Sequence, residues 1–184
     1  MSTVITGAEE KMKKSLASLK DGFAAIRTGR ASAALFDKIR VDYYGEKSPL
    51  GQVATVSIPE ARLVVIQPWD KALIGEIEKA IRSSELSLNP SNDGKVIRIA
   101  IPPLTEERRR ELVKLAKNQA EQGRVALRNI RRDGNEELKS LRKKGELTED
   151  GEKQTEAELQ KLTDNYIAKI NQALAEKEKE ITEN

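Results

Sequence analysis

Residues 105–145 read TEERRRELVKLAKNQAEQGRVALRNIRRDGNEELKSLRKKG. Leu112, Leu115/Ala116, Ala120, Gly123, Leu127, Ile130, Gly134, Leu138 and Leu141 recur at steps of three and four, the period of one face of an α-helix. The ends agree with this reading. Thr105 is a capping residue followed by Glu106 and Glu107, and Lys143-Lys144-Gly145 puts cations and then glycine where a helix stops. Such a helix of about 38 residues extends roughly 57 Å. It cannot bury its apolar stripe alone, so the segment demands partners of similar length.

Both partners are legible. Upstream, residues 4–27 place Ile5, Ala8, Met12, Leu16, Leu19, Phe23 and Ile26 on one helical face, with Gly29 as a stop. Downstream, Thr148 opens a third helix with Glu149, Asp150 and Glu152 in its first turn and a stripe of Leu159, Leu162, Tyr166, Ile170, Leu174 and Ile181. Three long stripes predict a three-helix bundle built from residues 1–30 and 104–184.

Residues 31–103 break the pattern. All six prolines lie here, with β-branched runs at Ile39–Tyr43, Gln52–Ile58, Leu63–Gln67 and Val96–Ile101. Gly45 marks a turn, Asp70 caps a short helix running to about Arg82, and residues 88–94 read as a loop. The fold class is therefore α+β with two domains, a small α/β domain inserted into a long bundle. The chain crosses between them near Arg30-Ala31 and at Pro102-Pro103-Leu104, a double connection that permits hinge motion.

Composition removes most chemistry. The 184 residues contain no Cys and no His, which excludes disulfides, thiol nucleophiles, zinc and iron–sulfur sites, and the commonest general base. Paired carboxylates at Glu76/Glu78 and Glu106/Glu107 are expected on exposed faces, outside any pocket, so no enzyme activity and no cofactor are expected. No apolar run is long enough to span a membrane, and the N-terminal MSTVITGAEEKMKK lacks the order of a signal peptide, so the expected location is cytoplasmic. Ile26–Ser32 holds Gly29 between Arg27 and Arg30 but has no P-loop spacing, so a nucleotide cradle is not expected.

The net charge of +3 conceals a segregation. Residues 105–144 carry thirteen Lys and Arg against seven Asp and Glu, and residues 145–184 carry five against eleven. On the basic helix, Arg124, Arg128, Arg131, Asn135 and Arg142 fall within about 60° of one another, about 100° round from the apolar stripe, and Lys117 continues the row. Arg132 lies to one side. A charge run is ordinarily a solvated face, here one that the acidic third helix would neutralise. The predominance of arginine, and the position of Asp133, Glu136 and Glu137 after the cluster, favour a phosphate-contacting surface instead. The six aromatics offer no stacking platform beside it, and Tyr166 falls on a core stripe, so the partner expected is structured RNA read by its backbone. A generic structured-RNA-binding helical protein is the alternative these features leave open.

Arg27-Thr-Gly-Arg30-Ala-Ser, Tyr43-Tyr-Gly45, Pro68-Trp-Asp70, Leu88-Asn-Pro90, Pro102-Pro-Leu-Thr-Glu-Glu-Arg-Arg109, Arg128-Asn-Ile-Arg131-Arg132-Asp133 and Gln160-Lys-Leu-Thr-Asp164-x-Tyr166-Ile167 occur in order along the chain. Together they resemble the bacterial ribosome recycling factors over essentially the whole length. The resemblance implies an L-shaped, tRNA-like, monomeric protein that binds the post-termination ribosome. With elongation factor G and its GTP, it would split the ribosome into subunits and release mRNA and tRNA. It places the principal contact to large-subunit rRNA on Arg131, with Arg128, Arg132, Arg124, Arg27 and Arg30 as companions, and the hinge on Arg30, Ala31, Pro102, Pro103 and Leu104. Ala33 stands where many members have Pro, and Gly123 and Gly134 where small residues such as Ala are frequent. The two glycines are expected to let neighbouring helices approach closely.

Overall fold

The structure is a computed structural model and describes residues 3–183. Among these residues the helices are α1 (Thr3–Ala24), α2 (Ile74–Arg82), α3 (Glu106–Lys143) and α4 (Glu149–Thr182). The strands are β1 (Arg40–Tyr43), β2 (Glu46–Pro49), β3 (Ala54–Glu60), β4 (Leu63–Pro68), β5 (Pro90–Asn92) and β6 (Ile97–Ala100). The chain divides into two compact units, residues 3–27 with Glu106–Glu183, and Thr28–Thr105.

The first unit packs α1, α3 and α4 against one another. Met12 and Leu19 of α1, Leu112, Ala116, Leu127 and Leu138 of α3, and Leu159, Tyr166, Ile170 and Ile181 of α4 are buried. Leu115 stays 44% exposed because Ala116 takes the inward position. Thr163 and Lys177 also turn inward on α4, which the apolar pattern did not mark. The Thr163 hydroxyl donates to the Leu159 carbonyl (2.8 Å), and Lys177 buries its stem while its ammonium reaches Glu180 (3.3 Å).

The reversal between α3 and α4 follows from local chemistry. Gly145 has φ +77, its N–H donates to the Arg142 carbonyl (3.0 Å), and Glu146 N–H donates to the Leu141 carbonyl (3.0 Å). These two bonds make a Schellman cap. Thr148 Oγ1 then accepts from Gly151 N–H (3.0 Å) to start α4. Gly134 and Gly123 lie where the three helices meet. A Cβ at Gly134 would come within 2.7 Å of Leu159 of α4 and 3.6 Å of Val4 of α1. One at Gly123 would come within 3.2 Å of Ile170 and 3.3 Å of Leu19.

The second unit has an antiparallel sheet in the order β3-β4-β6-β5 and a separate β1-β2 hairpin. Val64, Ile66, Ile97 and Ile99 on the sheet, Ile77 and Ile81 on α2, and Val41, Leu50 and Phe36 form its core. The hairpin turns at Tyr44 and Gly45, both at positive φ (49° and 87°), as a type I′ turn requires. β2, written Glu-Lys-Ser-Pro, and β5, inside the expected 88–94 loop, are strands that the sequence does not signal. Each is a short polar strand carrying a proline, held by its partner's ladder rather than by an apolar alternation. Asp70 caps as expected, accepting from Ala72 N–H (3.0 Å), but the first turn, Lys71–Leu73, is 3₁₀ before α2 begins. Ala33 opens another 3₁₀ turn, capped by Ser32.

Candidate nucleic-acid interface

The cationic row of α3 runs along its antiparallel seam with α4, and α4 answers it at successive levels. Lys117 pairs with Glu178 (3.9 Å) at one end, and Arg142 forms an ion pair with Glu152 at the other. Between these ends the partners change. Arg124 Nε donates to the Asn171 Oδ1 amide oxygen (2.9 Å), and Arg131 Nη1 donates to the Gln160 Oε1 amide oxygen (3.0 Å). Gln160 in turn donates from Nε2 to Asp164 (2.9 Å). The acidic helix therefore neutralises the ends of the row with carboxylates and holds its centre with neutral amides.

Not every member faces outward as the helical wheel implied. The Arg124 side chain is only 19% exposed, folded between Asn171 and Glu121 (2.9 Å). Asn135 also turns inward, its Oδ1 buried with no hydrogen-bond partner among the described residues. The physical reason is the seam itself: a position 100° from the stripe is flank on an isolated helix but groove wall once a second helix packs beside it. Arg128 is half-exposed and meets Glu121 at 3.4 Å. Arg131 is half-buried and Arg132 exposed, and among the described residues neither is in an ion pair.

Glu121 is the residue that sequence reasoning missed. It lies one turn before Arg124 and two before Arg128, a spacing visible in the sequence. The hydrogen bond from Arg124, with Arg128 beside it, holds the Glu121 carboxyl below its ordinary pKa. Gln160 and Asn171 could not be found that way, because only the α3–α4 register brings them to the row.

Arg27 and Arg30 are exposed and lie on the segment after α1, not on α3. In the second unit, Gly29 adopts φ +78 and packs on Leu104, whose Cγ would be 3.1 Å from an added Cβ, so the outgoing and returning segments touch here. Pro102 and Pro103 are exposed beside it.

Of the paired carboxylates Glu76/Glu78 and Glu106/Glu107, one of each pair has a cationic partner. Glu78 is buried rather than exposed: β5 covers it, Asn92 donates to its Oε1, and Arg82 pairs with it at 3.7 Å. Glu106 is exposed and pairs with Arg110 (2.6 Å). A cleft of about 450 Å³ in the second unit is lined by Phe36, Leu50, Val56 and Trp69, with Asp37 its one ionisable side chain. Among the described residues no group of three or more Asp, Glu, His or Cys could hold a metal, and no helix is long and apolar enough to cross a membrane.

A long three-helix unit interrupted by a small sheet unit is matched by a family of translation factors, not of enzymes. The ribosome recycling factor family matches residues 19–182, and the chain belongs to that family. It is 64% identical over 176 residues to the ribosome-recycling factor of Treponema denticola, spanning 96% of this chain and 95% of that one. It is 57% identical over 180 residues to that of Bacillus cytotoxicus, spanning 98% and 97%. A ribosome recycling factor solved in solution superposes with TM-score 0.74 at 48% identity, over 98% of this chain and 96% of that chain. A second structure, of T. thermophilus ribosome recycling factor with E. coli elongation factor G bound to the E. coli post-termination complex, gives 0.61 at 50% identity, over 97% and 96%.

Proposed function

We propose that this chain recycles ribosomes in the cytoplasm as a monomer, docking on structured large-subunit rRNA through the centre of the α3–α4 seam. Arg131 is the principal phosphate contact, with Arg128, Arg132 and Arg124 beside it on α3 and Arg27 and Arg30 on the segment after α1. The observation that carries this reading is the change of partner along the seam: guanidinium charge is cancelled at Arg142 and kept at Arg131. Planar guanidinium groups grip phosphate oxygens in pairs and give binding with little sequence preference.

The α/β unit, joined through Arg30-Ala31 and Pro102-Pro103-Leu104, acts as the lever on which elongation factor G pushes. Gly29 against Leu104 supports the hinge assignment, since its positive φ allows the two crossing segments to approach closely. The free energy for splitting comes from GTP on that partner.

The test is Arg131→Ala, assayed by binding to ribosomes over a salt series. Losing one charge-assisted contact of about 1.5–3 kcal/mol predicts at least a tenfold weaker affinity. The slope of log affinity against log salt should flatten by about 0.7–0.9. Far-UV circular dichroism should stay unchanged. Wild-type affinity in this variant refutes the assigned surface.

A further inference from the structure

We propose that Gln160 is a positioning residue for RNA docking, a neutral strut that aims Arg131 while insulating its charge from Asp164. This deepens the docking reading above and rests on it. Arg131 Nη1 donates to Gln160 Oε1 at 3.0 Å, and Gln160 Nε2 donates to Asp164 at 2.9 Å, so the amide uses both ends and spans an arginine and a carboxylate. An amide has an accepting and a donating end, and both are engaged here without removing charge from the guanidinium.

Asn171 likewise offers an amide oxygen to Arg124, at 2.9 Å, where the charge is met by Glu121 of α3 rather than by α4. The flanking levels of the same two helices show what α4 does elsewhere: Glu178 faces Lys117 and Glu152 faces Arg142. Carboxylates are abundant on this helix, so an amide opposite Arg131 has a specific consequence. The site keeps a guanidinium that is oriented on one side and still has N–H groups and full charge for a phosphate on the other. An aimed side chain also loses less freedom on binding than a loose one.

The one-atom-class substitution Gln160→Glu tests this directly. It preserves the acceptor for Arg131 but converts the contact to an ion pair and breaks the donation to Asp164. Binding of the full chain to isolated large ribosomal subunits is measured across a salt series for wild type, Q160E, R131A and Q160E/R131A, with thermal unfolding of each by circular dichroism.

The expected result for Q160E is a five- to tenfold loss of affinity with a salt slope shallower by about 0.7–0.9, the loss of one effective phosphate contact. In the R131A background Q160E should add nothing, because its effect passes through Arg131. Wild-type binding by Q160E with weak binding by R131A overturns the strut and leaves the docking surface standing. A Q160E loss that persists in the R131A background also overturns it, since that is plain repulsion by a new carboxylate. Wild-type binding by R131A overturns the docking surface and the strut together.

Discussion

Replacing Gly134 with Ala tests whether the arginine seam is built on a close helix approach. A Cβ there would stand 2.7 Å from Leu159 Cδ2, with Val4 Cγ1 at 3.6 Å on the other side. Leu159 is completely buried, so its methyl has no solvent to move into. Alanine gains about 1 kcal/mol of helix propensity over glycine. Overpacking a filled core costs about 1–3 kcal/mol, and a contact this short belongs in the upper half of that range. The net expectation is a loss of about 1 kcal/mol, a fall of about 2–4 °C in Tm for a chain of this length. Circular dichroism at 222 nm reads it, because α1, α3 and α4 dominate the signal. Gly123→Ala is the internal comparison: its Cβ would meet Ile170 and Leu19 at 3.2 and 3.3 Å, where small shifts suffice, and its Tm should stay within about 2 °C of wild type. In a Leu159→Ala background, Gly134→Ala should become stabilising by about 1 kcal/mol, a coupling of about 2 kcal/mol between the two sites. A rise in Tm for Gly134→Ala alone refutes the reasoning.

Two further outcomes follow from groups outside that contact. Glu121→Gln should strengthen ribosome binding at low salt and steepen the salt slope by about 0.7–0.9, because it removes the one carboxylate that Arg124 and Arg128 share; weaker binding would make Glu121 a support of the row. In the second unit, Asp93 accepts from Val96 and Lys95 N–H (both 2.9 Å) and from Arg98 (2.8 Å), and these partners, Val96 foremost, hold its carboxyl well below the usual carboxylate range. Its stabilising contribution is fully present above the unfolded-state value of about 4 and is lost as pH falls below that toward the depressed native value. The stability gap between wild type and Asp93→Ala should therefore be widest at neutral pH and close on acidification. Urea melts followed by Trp69 fluorescence, whose indole lies in the same unit, measure it, and a gap independent of pH would remove the assignment.

The periodic patterns of this chain were strong wherever a residue's environment depends on its own element. The α3 stripe, the Thr148 cap, the Gly145 stop and the β4 and β6 runs all read directly, because period, capping and glycine conformation are set within a few residues. β2 and β5 did not read, since a short edge strand is held by its neighbour's hydrogen bonds and needs no alternation of its own.

The arginine row divides along the same line. That Arg124, Arg128 and Arg131 share one side of a helix follows from 3.6 residues per turn, and that they are arginines proposes phosphate. Which of them are exposed, that Asn135 faces inward, and that Gln160 rather than a glutamate meets Arg131 depend on where α4 lies and in what register. Local spacing carries no information on that register. It is settled by packing between residues some ten to sixty positions apart, through contacts such as Gly134 on Leu159 and Arg142 on Glu152 that exist only once the helices have come together.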